Sequence, residues 1–146
     1  MQMCTPEILY KLAFILKNYI WLVSYNDTSL SYWTSDNPIT FKKYKNKFFK
    51  SPFKYWPDAH EVAYPLNPKY LLVMLERTNF RQWEAFDCRK IDSKYDNVIH
   101  YNSRYVDYFC RLIISRDNNF ELANKWCEEN PEAASRFETF SSKAST

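Results

Sequence analysis

Three observations predict an α+β fold, a mainly antiparallel sheet of four to six strands with an N-terminal helix and two C-terminal helices packed on it. A helix start stands near the N-terminus. Short apolar or alternating runs follow, separated by clusters of Asn, Asp, Ser and Pro. Two helical stretches then close the chain. Strands gathered between helices, rather than alternating with them, favour an antiparallel sheet that carries its helices. The chain has 146 residues, 46% of them hydrophobic, enough for one domain with its own core. A single domain over residues 1–140 is expected, with a frayed Ser-rich tail over residues 141–146.

Thr5-Pro6-Glu7 places a capping hydroxyl, a Pro at the first helical position and an acid in the first turn, so a helix is predicted from Pro6 to Tyr19. Ile8, Leu12, Ile15, Leu16 and Tyr19 form its apolar stripe. Tyr10 and Phe14 fall outside that stripe, which makes the helix apolar on more than one side and points to a partner surface. Ile20 to Tyr25 reads as a strand, Asn26-Asp27-Thr28-Ser29 as a turn, and Leu30 to Thr34 as a second strand forming a hairpin with the first. Thr34-Ser35-Asp36-Asn37-Pro38 is the next corner, followed by a short apolar segment, Ile39 to Phe41. Glu61 to Leu66 reads as a strand closed by Pro65-Leu66-Asn67-Pro68, and the unbroken apolar run in Tyr70 to Glu76 as a central strand. Phe80 to Cys88 is a further strand candidate. A long helix is predicted from Asp96 to Ser115, with Val98, Tyr101 and Tyr105 on one face and Asn102 near its middle. Arg104, Asp107 and Arg111 fall on the opposite face, as in an ion-paired surface. Asn118 or Asn119 caps a last helix that runs to Asn130.

Composition excludes several function classes. The chain has no glycine, so it holds neither a P-loop nor a dinucleotide fingerprint, and left-handed turns are expected to fall to Asn or Asp. Cys4, Cys88, Cys110 and Cys127 form no C-x-x-C pair, which suits reduced thiols in a cytoplasmic protein. The apolar run from Ile8 to Val23 is broken by Lys11, Lys17 and Asn18, which argues against a signal peptide and a membrane span. The net charge of +3 permits an anionic partner without requiring one.

The strongest local bias lies between Lys42 and Trp56. Lys42, Lys43, Lys45, Lys47, Lys50 and Lys54 interleave with six aromatic residues and no acid. Cations that track phosphates and rings that stack on bases are what single-strand binding uses, so these lysines are candidate nucleic-acid contacts; a solvated loop pinned by its rings is the alternative. Asp36, Asp58, His60 and Glu61 are the candidates for acid-base work. Asp36, His60 and Glu61 could together hold a divalent metal if the strand ends that carry them met. Asp36 and its neighbours could equally be a corner built without glycine, the side chains bonding to local backbone.

Trp21-Leu22-Val23, then Thr34-Ser35-Asp36-Asn37-Pro38-Ile39, then Glu61-x-x-Tyr64-Pro65-Leu66-Asn67-Pro68, then Asn102 ahead of Arg111-Leu112-Ile113-Ile114-Ser115 form an ordered pattern. In that order it resembles the bacterial domain-of-unknown-function family 4238, over about residues 20 to 116. The resemblance is to the C-terminal half of the family, whose members are usually longer. It therefore implies a missing N-terminal half or a protein partner, and marks Ser35, Asp36, Asn37, Glu61, Pro65 and Asn102 as the patterned positions. Two functions are expected from these observations together. One is a protein that binds or cleaves nucleic acid in a toxin or phage-defence setting, with Asp36, Glu61 and Asn102 as catalytic residues. The other is a non-enzymatic interaction subunit that completes a partner's fold through its first helix.

Overall fold

The computed structural model describes residues 5–45, 60–107 and 112–131. Helix α1 (Pro6–Lys17) leads into β1 (Tyr19–Asn26). Short strands β2 (Thr34–Ser35) and β3 (Thr40–Lys42) follow, then β4 (Glu61–Asn67) and β5 (Tyr70–Glu76). A 3₁₀ turn (Arg81–Phe86) precedes β6 (Arg89–Ser93). Helix α2 (Tyr95–Asp107), strand β7 (Ile113–Ile114) and helix α3 (Glu121–Glu129) complete the order. The main sheet has five strands in the order β3-β4-β5-β1-β6, and β2 pairs with β7 apart from it. All pairs in the main sheet are antiparallel except β1 with β6, which is parallel. The α+β class with a mostly antiparallel sheet is therefore the observed one. No helix among the described residues is long and apolar enough to cross a membrane.

Strand alternation sorts the core into layers. On one face Ile20, Leu22, Ala63, Leu71, Val73 and Leu75 pack with Val98 of α2. On the other, Tyr19, Val62 and Met74 meet Ile15 and Leu16 of α1. A third cluster joins Trp33 and Tyr105 to Phe120, Ala123 and Trp126, and so fixes α3 beside α2. β5 lies between β4 and β1, and its apolar run is unbroken because core clusters cover both of its faces.

The expected hairpin between Ile20–Tyr25 and Leu30–Thr34 does not form. Both edges of β1 are already taken, by β5 and by β6. The segment after the turn instead crosses the sheet end and finds other acceptors. Tyr32 N–H donates to the Pro68 carbonyl at 2.9 Å. Asn102 substitutes for a neighbouring strand. Its Oδ1 accepts the Trp33 N–H at 2.9 Å, and its Nδ2 donates to the Ser31 carbonyl at 2.9 Å. A buried backbone group needs such a partner when no ladder is available. This is also where the structure places Asn102, expected above as catalytic: it is fully buried, with both ends of its amide bonded to backbone.

Two further differences have local causes. Phe80–Cys88 is not a strand, because the buried Glu76 carboxylate accepts N–H groups from Thr78 and Asn79 and winds the chain into the 3₁₀ turn. The strand begins only at Arg89. The long helix predicted to Ser115 ends as α2 at Asp107 in the described residues, and Ile113–Ile114 is extended to pair with Thr34–Ser35. Among the described residues the positive backbone φ, 59°, belongs to Cys88 and not to an Asn or Asp. Its neighbours offset a strain of about 1 kcal/mol. The Cys88 N–H donates to the Trp21 carbonyl at 2.7 Å, and Asp87 Oδ1 accepts the Trp21 N–H at 2.9 Å.

Replacing Asn102 by Ala leaves one N–H and one carbonyl without partners in the interior. Asn102→Ala is expected to lower unfolding stability by about 2–4 kcal/mol, read from the urea midpoint. A loss under about 0.5 kcal/mol, the range of ordinary surface changes, would show that the crossing segment does not depend on this amide.

Candidate functional site

Glu61 opens β4 with Lys42 of β3 opposite it on one side and Leu75 of β5 on the other. Its place on the α2 side of the sheet leaves the residue 4% exposed. A carboxylate in that position must be paired or neutralised. Helix α2 supplies the pairing. Arg104 Nη2 donates to Glu61 Oε1 at 2.5 Å, and the Tyr44 hydroxyl donates to Oε2 at 2.5 Å. The Tyr101 hydroxyl is a third donor. Burial alone would raise the Glu61 pKa, but Arg104 and the two phenols together hold it below the ordinary 4.5, so the group stays ionised. The phenols move the other way. Burial and then the Glu61 charge push both Tyr44 and Tyr101 well above the usual phenol range, so both remain donors.

His100 lies one helical turn before Arg104. Its Nε2 is 3.1 Å from Arg104 Nη2 and 3.3 Å from Lys42 Nζ. Both neighbours are donors, so Nε2 must be the unprotonated nitrogen and the ring neutral. Burial, then Arg104 and Lys42, hold its pKa below 6.5 against the opposing pull of Glu61. Rings shield the two cations: Arg104 stands 4.6 Å from the Tyr101 ring centroid and Lys42 5.2 Å from that of Tyr44. His60 is fully buried and positions Tyr44, whose backbone N–H donates to His60 Nδ1 at 2.8 Å.

Of these groups Tyr44, Glu61, His100 and Tyr101 line a cavity of about 280 Å³. Leu22, Val73, Leu75 and Phe80 make its floor, and Trp83 and Ile91 its far side. Ser24 and Asn97 add polar atoms, while Tyr44, Glu61, His100 and Tyr101 face them. An apolar cavity with a few convergent polar groups is the usual form of a small-molecule site.

The sequence-derived candidates divide. Glu61 lies at the centre of the site. Asp36 does not line this cavity; it is exposed, and its Oδ1 accepts the Leu112 N–H at 3.3 Å. The corner around it is architectural: Ser35 Oγ donates to the Asn37 carbonyl at 2.7 Å, and the Tyr105 hydroxyl donates to the Pro38 carbonyl at 2.9 Å. Thr34 of this corner and the Pro65–Pro68 bend do meet, around a second cavity of about 360 Å³. Among the described residues no three His, Cys, Asp or Glu side chains gather to hold a metal ion. The trio Asp36, His60 and Glu61 is therefore corrected: Glu61 is held by a guanidinium and phenols, and His60 Nδ1 by a backbone N–H. Lys42 joins the Glu61 cluster, and Lys43 and Lys45 are exposed on either side of Tyr44. Lys47, Lys50, Lys54 and Asp58 lie outside the described residues.

Sequence reasoning missed Arg104, taken for a surface residue, and did not connect Tyr44, Trp83, His100 and Tyr101 to Glu61. One signal was available. Asn97, His100, Tyr101 and Arg104 fall at i, i+3, i+4 and i+7 and share a helix stripe.

A model of the family described as "Protein of unknown function (DUF4238)" matches residues 2–119, so the chain belongs to that family over most of its length and not through a C-terminal portion alone. No curated protein and no solved structure matches the chain.

The two lowered pKa values have a consequence for stability. Between His100's folded value and 6.5 the unfolded chain binds a proton that the fold refuses, so stability falls as pH drops through 6.5. Glu61 contributes stability above 4.5, which is lost as pH falls through its lower folded value. Urea unfolding across this range is expected to show both declines. His100→Gln should shrink the upper one and keep the lower; an unchanged profile in that variant would refute the assignment.

Proposed function

We propose that this DUF4238 protein binds a nucleobase, presented by a nucleotide or a single-stranded nucleic acid, in the cavity above Glu61. The observation that carries the reading is an ionised, buried carboxylate at the wall of an otherwise apolar and aromatic cavity. Two carboxylate oxygens accept roughly four hydrogen bonds. Arg104, Tyr44 and Tyr101 supply three donors, which leaves capacity for an N–H on a base edge. Trp83 and Tyr101 offer planar surfaces for the ring, and such stacking contributes about 1–3 kcal/mol per base. The exposed Lys43 and Lys45 flank Tyr44, where a phosphate backbone entering the cavity would run. Binding is favoured over cleavage for Glu61, because a carboxylate held by a guanidinium and two phenols is a poor base.

The test is fluorescence anisotropy of labelled single-stranded oligonucleotides in titrated salt. Binding should weaken with salt, and Trp83→Ala should weaken it about tenfold in a folded protein. Absence of binding to every oligonucleotide, or full binding by folded Trp83→Ala, would overturn the reading.

A second reading rests on a different surface. In α1, Leu9, Tyr10 and Phe14 are 53%, 78% and 68% exposed, while Ile15 and Leu16 hold the helix to the sheet. Exposed aromatic and aliphatic groups on one short helix mark an interaction surface. On this reading the chain completes a partner's fold. Light scattering should then find an assembly or a bound partner that the triple variant Leu9→Ser, Tyr10→Ser, Phe14→Ser loses. A stable monomer with unchanged solubility in both proteins would count decisively against it.

A further inference from the structure

We propose that the second cavity, between the β2–β7 pair and the Pro65–Pro68 bend, binds a small carboxylate with an apolar body. The cavity, of about 360 Å³, shares no lining residue with the one beside Glu61, so the proposal does not rest on base binding. Small-molecule sites begin at about 300 Å³. Local structure keeps the space open. β3 pairs with β4 only as far as Ala63, opposite Thr40, so beyond it the outer edge of β4 has no strand beside it among the described residues. Pro65, which has no N–H to give a ladder, stands on that edge. The register of β4 against β5 then slips between Pro65 and Asn67, which leaves Leu66 without an opposite residue and 50% exposed. A bulge of this kind re-aims a side chain, and Leu66 lines the cavity. From the other side comes Ile114, the cross-strand partner of Thr34, which is 48% exposed and lines the same cavity. Two half-exposed aliphatic side chains on one hollow favour an apolar group between them, because its entry removes both from water.

The charge comes from Arg116. Among the described residues it is the charged one that lines this cavity, and it is exposed with no ion pair. The adjacent Asp117 is held elsewhere, since its Oδ2 accepts the Ser31 hydroxyl. A planar guanidinium matches a carboxylate with two parallel hydrogen bonds, and its single charge suits a monoanion better than a phosphate dianion. Asn67 adds a neutral donor: its Oδ1 is taken by the N–H groups of Lys69 and Tyr70, which leaves its amide nitrogen to the ligand.

Calorimetry with phenylpropanoate and its neutral amide tests this on the full chain, on Arg116→Gln and on Leu66→Ser, both changes being at exposed positions. The carboxylate is expected to bind about tenfold more tightly than the amide. Arg116→Gln should erase that difference, and Leu66→Ser should weaken both ligands several-fold. In the unaltered chain, phenylpropanoate should shift the backbone amide signals of Leu66, Asn67, Ile114 and Arg116, a result that holds whether or not a variant folds. Equal binding of carboxylate and amide, or an unchanged preference in folded Arg116→Gln, would overturn the carboxylate assignment. Shifts confined to other residues, or no binding of either phenylpropanoate or octanoate, would overturn the site.

Discussion

A carboxylate buried between a sheet and a helix determines what else this molecule must contain. Glu61 stands among Leu75, Ala63 and the apolar floor of the cavity, where an unpaired charge would cost several kcal/mol. The Arg104 guanidinium is therefore a condition of burying Glu61. The two phenols take up acceptor capacity that one guanidinium nitrogen cannot. The arrangement is not a strong source of stability. Buried pairs roughly break even against apolar residues of the same size, while breaking one side costs about 3–5 kcal/mol. A sheet of this kind could have been closed with a Leu at position 61. Retaining an ionised group there needs a reason other than stability, and a cavity that the carboxylate faces supplies one.

Helix α2 connects the fold to the site. One stripe, through Val98, Asn102 and Tyr105, is structural: it covers the sheet, substitutes for a missing strand and anchors α3. The adjacent stripe carries Asn97, His100 and Tyr101, which line the cavity, and Arg104, which pairs with Glu61. The two stripes share one rigid rod, so Asn102's bonds to Ser31 and Trp33 also set the height and rotation at which Arg104 meets Glu61. A disturbance of the crossing segment would therefore reach the site through the helix, without touching any residue that lines it.

Local chemistry made part of this legible. The Asn26 turn, the Pro65–Pro68 bend and the β5 run are encoded within a few residues each, by side-chain bonds to nearby backbone or by continuous apolar character. Asn26 Oδ1 accepts the Thr28 N–H at 2.9 Å, and Asn67 Oδ1 accepts those of Lys69 and Tyr70 at 2.8 and 3.0 Å. What depended on distant partners was not legible. Leu30–Thr34 has the alternation of a strand but no edge to join, because β6 reaches β1 from far along the chain. Arg104 has the spacing of a surface ion pair, and only the position of Glu61, 43 residues earlier, draws it inward. Asn102 falls near the middle of an apolar helix face in the sequence. That its partners would be backbone groups of Ser31 and Trp33 could not be seen from α2 alone.

The polar corner at Ser35-Asp36-Asn37 shows how a glycine-free chain can imitate a catalytic motif. Without glycine, a tight bend needs side chains that bond to their own backbone, and those side chains are the ones chemistry also uses. Exposure separates the two roles here. Asp36 is exposed and accepts the distant Leu112 N–H, so water reaches its charge. Glu61 is desolvated and fixed from three sides, so an added N–H donor meets a charge that water does not screen. The same carboxylate chemistry is solvated at position 36 and desolvated at position 61, and the difference lies in what the fold has removed from around it.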